Sequence, residues 1–236
     1  EATDIVRYES QNSLLLVSSI FQQQSIEDLK VLSEQVKDSF VRLVNEDANA
    51  HMVGSAMSVI GRSFKQRIIE LAEETLGNAP IPYCFLALGS MGRDEQLLVT
   101  DQDNAIILDD SYDEAKHGAY FEAFSKFICD GLDQCGYSYC TGDIMATNPT
   151  WRMTRTEWEE CFADWIDNPN PKALLNASIF FDLDGVYGRL KWAEQLNSFI
   201  VRRSRKNNRF LACLARNALN RTPPLGFFKD FVMEKD

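Results

Sequence analysis

Two aspartates one residue apart, Asp101 and Asp103, stand at the mouth of an apolar run, Ala105 to Leu108. Alternate residues of a strand point to one face, so both carboxylates project together. Like charges side by side repel unless a cation sits between them. A divalent ion with oxygen ligands, Mg²⁺ in the simplest case or else Mn²⁺, resolves that conflict, which makes Asp101 and Asp103 the candidate metal ligands. Just upstream, Gly89-Ser90-Met91-Gly92-Arg93-Asp94-Glu95 breaks a second apolar run, Ile81 to Leu88, that suits a buried strand. A Gly-Ser-x-Gly turn lets the backbone approach a ligand and aim several N–H groups one way. Arg93 to Leu98 can then start a short helix, whose N-terminus favours phosphate. A phosphate cradle of Gly89, Ser90, Gly92 and Arg93 opposite a cation-binding carboxylate pair is the equipment of phosphoryl or nucleotidyl transfer.

Other readings of this stretch fail on particular residues. A Walker loop ends in Gly-Lys-Ser/Thr, whereas Gly92 is followed by Arg93 and Asp94. A dinucleotide fingerprint needs a third glycine where Glu95 stands. A calcium-binding EF-hand loop needs a glycine where Ile106 stands and a glutamate where Tyr112 stands. The plain alternative is a strand, turn and helix with two acids facing water.

The elements that must hold these groups follow from periodicity. Asp4 to about Glu46 reads as helical, with Ser25-Ile26-Glu27-Asp28 as an internal N-cap. Ile26, Leu29, Leu32, Val36, Phe40 and Leu43 recur at helical spacing, as do Val53, Met57, Ile60, Phe64, Ile68 and Leu71 in a second helix from about Ala48 to Leu76. The pair is either a plain support for a sheet or a coupling arm to upstream domains or a dimer partner. After the aspartates comes a helix with Tyr120, Phe121, Phe124, Phe127, Ile128 and Leu132 inward, ending by Gly136. Tyr137 to Cys140 and Ile144 to Ala146 predict a strand or a hairpin around Thr141-Gly142. Thr154-x-x-Glu157 has capping-box spacing ahead of Trp158, Phe162, Trp165 and Ile166. Asn168-Pro169-Asn170-Pro171 closes that helix. The remainder reads as helical over Ala173 to Phe181, Val186 to Arg202 and Asn208 to Leu219, with Gly185 and Gly188 flanking Tyr187 at a turn. The basic run Arg202 to Arg209 is a contact for a triphosphate or acidic partner, or else a solvated loop.

The 236 residues are 45% hydrophobic, enough for a full core. A net charge of −11 offers no global field for nucleic acid, which argues against a DNA or RNA partner. Six cysteines without a Cys-x-x-Cys pair read as free thiols of a reducing cytoplasm. No apolar run is long enough for a membrane span. His51 and His117 have no metal-ligand partners at suitable spacing. A start at Glu1 and an apolar close at Phe227 to Val232 lead us to expect a missing upstream regulatory domain and a C-terminal domain cut short.

Gly89-Ser90-x-Gly92-Arg93-x-Glu95 followed by Asp101-x-Asp103 resembles the signature of the DNA polymerase beta-type nucleotidyltransferases. Within them the chain resembles the uridylyltransferase that modifies the PII signalling protein, and resembles still more the bacterial nucleotidyltransferases that often follow cyclic-nucleotide-binding and CBS domains. Gly136-Tyr137, Cys140 to Pro149, Phe180 to Leu183 and Pro223 to Phe228 carry the same resemblance. It implies an α+β fold, a small mixed sheet flanked by helices, with a helical pair over 1–78, a catalytic domain over 79–168 and a C-terminal helical region over 169–236. It also implies transfer of a nucleoside monophosphate, UMP in the leading case, from a triphosphate to a protein or small-molecule hydroxyl. In that superfamily a third carboxylate comes from a later strand. Asp143 is the candidate, although Gly142-Asp143 is equally an ordinary turn. Arg93 then contacts a phosphate or pairs with a carboxylate, and Glu95 orients Arg93 or caps the turn. Asp184 stands where related sequences lead us to expect a basic residue. The other functional class is a nucleotide-sensing module that binds without turnover; a helical scaffold with a vestigial site is a third.

Overall fold

The computed structural model describes residues 14–45, 50–92 and 100–219. It is a mixed α+β fold. A helix over 14–22 (α1) leads into α2 (Ile26–Asn45) and α3 (Ala50–Leu76). Ser25 caps α2, its Oγ accepting from the Asp28 N–H at 3.1 Å. Strand β1 (Tyr83–Ala87) follows, then the single turn α4 (Gly89–Gly92), β2 (Thr100–Asp101) and β3 (Asn104–Leu108). Next come α5 (Glu114–Gln134), β4 (Tyr137–Ser138), a 3₁₀ turn at Pro149–Trp151 and β5 (Arg152–Thr154). The chain continues through α6 (Arg155–Asp167), α7 (Pro171–Phe180), β6 (Asp184–Gly188), α8 (Leu190–Ser204) and α9 (Asn208–Leu219). The expected helix from Arg93 and the apolar close lie outside the described residues.

The sheet runs β5-β3-β1-β6, antiparallel at both edges of β1 and parallel between β3 and β5. Alternation along β1 divides the core in two. Tyr83, Phe85 and Ala87 face α2, α3 and α5 with Ile106 and Leu108. Cys84, Leu86 and Leu88 face Trp158, Phe162, Phe180 and Leu196 with Ala105 and Ile107. Both faces are covered, which is why the two central strands carry unbroken apolar runs. The Trp158 indole N–H donates to the Ile106 carbonyl at 3.0 Å and bolts α6 to β3.

The segment 184–188, expected as a turn and helix start, is strand β6. Fully buried β1 needs backbone partners on its second edge, and β6 supplies them. Arg62 of α3 reinforces the placement through an ion pair with Asp184 and a 2.6 Å hydrogen bond to the Gly185 carbonyl. Asp184 is thus occupied by a structural cation. The sheet thereby takes a strand from beyond residue 168.

In the basic run, Arg203 pairs with Asp167 of α6 and Asn207 caps α9, whereas Arg202, Arg205, Lys206 and Arg209 are exposed. The Thr154 capping box of α6 is complete, with both reciprocal bonds formed. Thr154→Ala is expected to lower unfolding free energy by about 1 kcal/mol in urea titrations, with an unchanged slope.

Candidate active site

The Gly-Ser turn and the aspartates meet at one end of the sheet. The Leu88 N–H donates to the Asp103 carbonyl at 2.9 Å, so the end of β1 and the entry to β3 are locked together. Gly89 takes a left-handed φ of 53°, and a Cβ placed there would lie 3.1 Å from Asp103 Oδ2. A side chain is therefore excluded both by conformation and by the carboxylate against it. Gly92 is needed for a different reason: a Cβ there would collide with the backbone carbonyl of Asp182, just ahead of β6. Ser90 lies within α4, and Arg93 lies outside the described residues.

Asp101-Gln102-Asp103-Asn104 divides by parity. The two amides are fully buried, while Asp101 is exposed and Asp103 half-buried. Gln102 donates to the carbonyls of Cys129 (2.9 Å) and Tyr137 (3.0 Å) and accepts from Asn104 Nδ2 at 3.0 Å. Asn104 Oδ1 in turn accepts from the Ala146 N–H at 2.7 Å, and the Asn104 N–H donates to the Ile144 carbonyl at 3.1 Å. An amide side chain thus takes up a backbone N–H that a neighbouring strand would otherwise satisfy. Only Tyr137–Ser138 of the expected strand or hairpin is regular strand, pairing parallel with β2. The rest is an irregular segment latched by buried amides, whose satisfied hydrogen bonds fix it in one position.

That segment delivers an unexpected donor. One carboxylate oxygen each of Asp101 and Asp103 and the Cys140 Sγ all lie within 4.8 Å of one another. Burial pushes the Asp103 carboxyl above its ordinary range; a hydrogen bond with Cys140 opposes the shift and the Asp101 charge adds to it. Cys140 is half-buried, and burial together with Asp103 pushes its thiol up as well. Cys84 and Cys129, by contrast, are buried in the core and their thiols are pushed up to about 12.

Asp143 is not one of the clustered donors. It sits at a turn with φ 55°, its carboxylate accepting from Asn148 Nδ2 at 2.9 Å and its carbonyl from the Trp151 indole at 3.0 Å. His117 is spent locally, its Nδ1 accepting from the Asp113 N–H. The His51 side chain lies outside the described residues.

A depression of about 570 Å³ beside Pro82, Gly188, Arg189 and Trp192 is remote from this chemistry. It opens where β1 begins, roughly 20 Å along the strand from the Gly89 turn.

The family model described as "Putative nucleotidyltransferase DUF294" matches residues 34–172, more than half the chain. The chain belongs to that family. No curated protein matches the chain. Membership in this nucleotidyltransferase family implies a nucleoside triphosphate substrate and a divalent cation. The donor set fits such a cation: two carboxylates, one exposed and one half-buried, with a thiol alongside. The family match takes in the last turns of α2, all of α3, the Gly89 turn, both aspartates and Cys140. Among the described residues no helix is long and apolar enough to cross a membrane.

Proposed function

We propose that the chain is a cation-dependent nucleotidyltransferase that moves a nucleoside monophosphate from a triphosphate to a hydroxyl of a protein or small molecule. The observation that carries this reading is the packing of Gly89 against Asp103, with Asp101 beside it. Asp101 and Asp103 would hold the divalent cation, Mg²⁺ or Mn²⁺ in the simplest case. When bound, the cation supplies charge neutralisation at the phosphates and lowers the pKa of an acceptor hydroxyl. The Gly89–Gly92 turn offers backbone N–H groups to the triphosphate tail beside the carboxylates. The buried Gln102–Asn104 pair keeps both carboxylates in register while the substrate's charge arrives. Attack by the acceptor oxygen on the α-phosphorus releases pyrophosphate.

UMP transfer in a signalling setting, with regulatory domains upstream, is the specific form favoured by the motif resemblance. The test is pyrophosphate release from each of the four ribonucleoside triphosphates, with Mg²⁺ or Mn²⁺ and a protein extract as the acceptor source. The expected result is cation-dependent release, largest with UTP. Thermal stabilisation by nucleotide without any pyrophosphate would make the chain a binding module instead.

A further inference from the structure

We infer that Cys140 is a third ligand of the cation site and gives that site a preference for Zn²⁺ or Co²⁺ over Mg²⁺. The inference rests on the carboxylate pair being the cation site, as proposed above. Two carboxylates alone are hard donors and suit Mg²⁺, Ca²⁺ or Mn²⁺, whereas a thiolate selects softer ions. The Cys140 Sγ shares one 4.8 Å cluster with oxygens of both aspartates, so small side-chain adjustments would bring all three donors onto one ion.

Its position is not an accident of a loose loop. Residues on both sides of Cys140 are pinned to the aspartate strand. The Gln102 N–H donates to the Ser138 carbonyl at 2.8 Å, and the Asn104 N–H to the Ile144 carbonyl at 3.1 Å. Between these anchors the Asp143 N–H closes a turn on the Cys140 carbonyl at 3.0 Å, and the Cys140 N–H meets the Met145 sulfur at 3.4 Å. The superfamily resemblance leads us to expect a third carboxylate at the site, but the nearby Asp143 carboxylate accepts from Asn148 and lies outside the cluster. On ligation the thiol proton leaves to solvent, and one S–metal bond forms.

Cobalt is the probe, because a thiolate ligand produces a sulfur-to-cobalt charge-transfer absorption in the near ultraviolet that carboxylates do not. Titration of the chain with Co²⁺, without nucleotide, is expected to develop that band. Cys140→Ser and Asp103→Asn should each abolish it. Cys140→Ser should weaken Co²⁺ and Zn²⁺ binding at least about tenfold in calorimetry, with far less effect on Mg²⁺. Absence of the band in the unaltered chain overturns the inference whatever the variants do. So does a band that persists in Cys140→Ser, which would belong to another thiol such as Cys161 or Cys213. The band together with failure of every triphosphate to turn over would uphold the ligand and overturn the transferase reading. Mg²⁺-dependent turnover without the band would do the reverse.

Discussion

Asp103→Asn is expected to lower nucleotidyl transfer at least about a thousandfold, several kcal/mol of lost charge stabilisation, while leaving the fold intact. In a chelator the same variant should melt higher than the unaltered chain. The two effects share a cause. Asp103 is half-buried with the Asp101 charge beside it, and its pKa is raised, chiefly by burial. A folded-state pKa above the unfolded value means that the protonated form favours folding. That contribution is present at low pH and lost as pH rises through the folded pKa. The stability gain of Asp103→Asn should therefore be near zero below the carboxylate range and grow to a plateau towards neutrality. Adding a divalent cation should stabilise the unaltered chain and leave the variant unmoved. Asp101→Asn should match the loss of transfer with a smaller gain in stability, since its side chain is exposed. Initial rates of pyrophosphate release and melting curves across pH check both halves. Transfer retained by Asp103→Asn would remove the residue from the cation site, and a variant melting lower at neutral pH would contradict the buried-charge account.

Such a site is legible in sequence where local spacing sets geometry, and illegible where distant segments must meet. Asp101 ends β2 and Asp103 immediately precedes β3, so a spacing of two residues is enough to keep them close. The helical faces are equally local: Leu29, Val36, Phe64, Ile68, Phe124 and Ile128 are all buried as their spacing predicts. Strand β6 has only Val186 and Tyr187 as apolar members between two glycines, which by local signals is a turn. It is a strand because β1 has an open edge and Arg62, more than a hundred residues earlier, holds its first residue. Cys140 is similar. Nothing beside it in sequence marks it as a donor, and its meeting with Asp103 depends on two amides reaching across from Gln102 and Asn104. A sequence signal did exist there. A run of four polar residues, Asp101 to Asn104, leads into a buried strand, so parity turns two of them inward and requires those two to find buried partners.

Gly92→Ala is expected to cost about 2–4 kcal/mol of stability and to impair transfer as well. Helix propensity argues the other way, since alanine is favoured over glycine by about 1 kcal/mol within a helix, and Gly92 closes the one-turn α4. Contact decides the sign. A Cβ at Gly92 would lie 1.8 Å from the Asp182 carbonyl oxygen and 3.0 Å from that of Ala87. Both are backbone atoms, so no rotamer change relieves the overlap, and either the turn or the approach to β6 must move. Moving the turn shifts Gly89 off the Asp103 carboxylate, which links the packing fault to the chemistry. Gly142→Ala is the matched control, because the nearest atoms there are side chains at 3.6 and 4.0 Å, an ordinary contact. It should stay within about 0.5 kcal/mol of the unaltered chain. Urea unfolding of both variants, with pyrophosphate release measured under native conditions, separates the effects. If Gly92→Ala were as stable as Gly142→Ala, the turn could not be seated against Asp182, and the close fit of glycine to carboxylate on which the proposed site depends would fail with it.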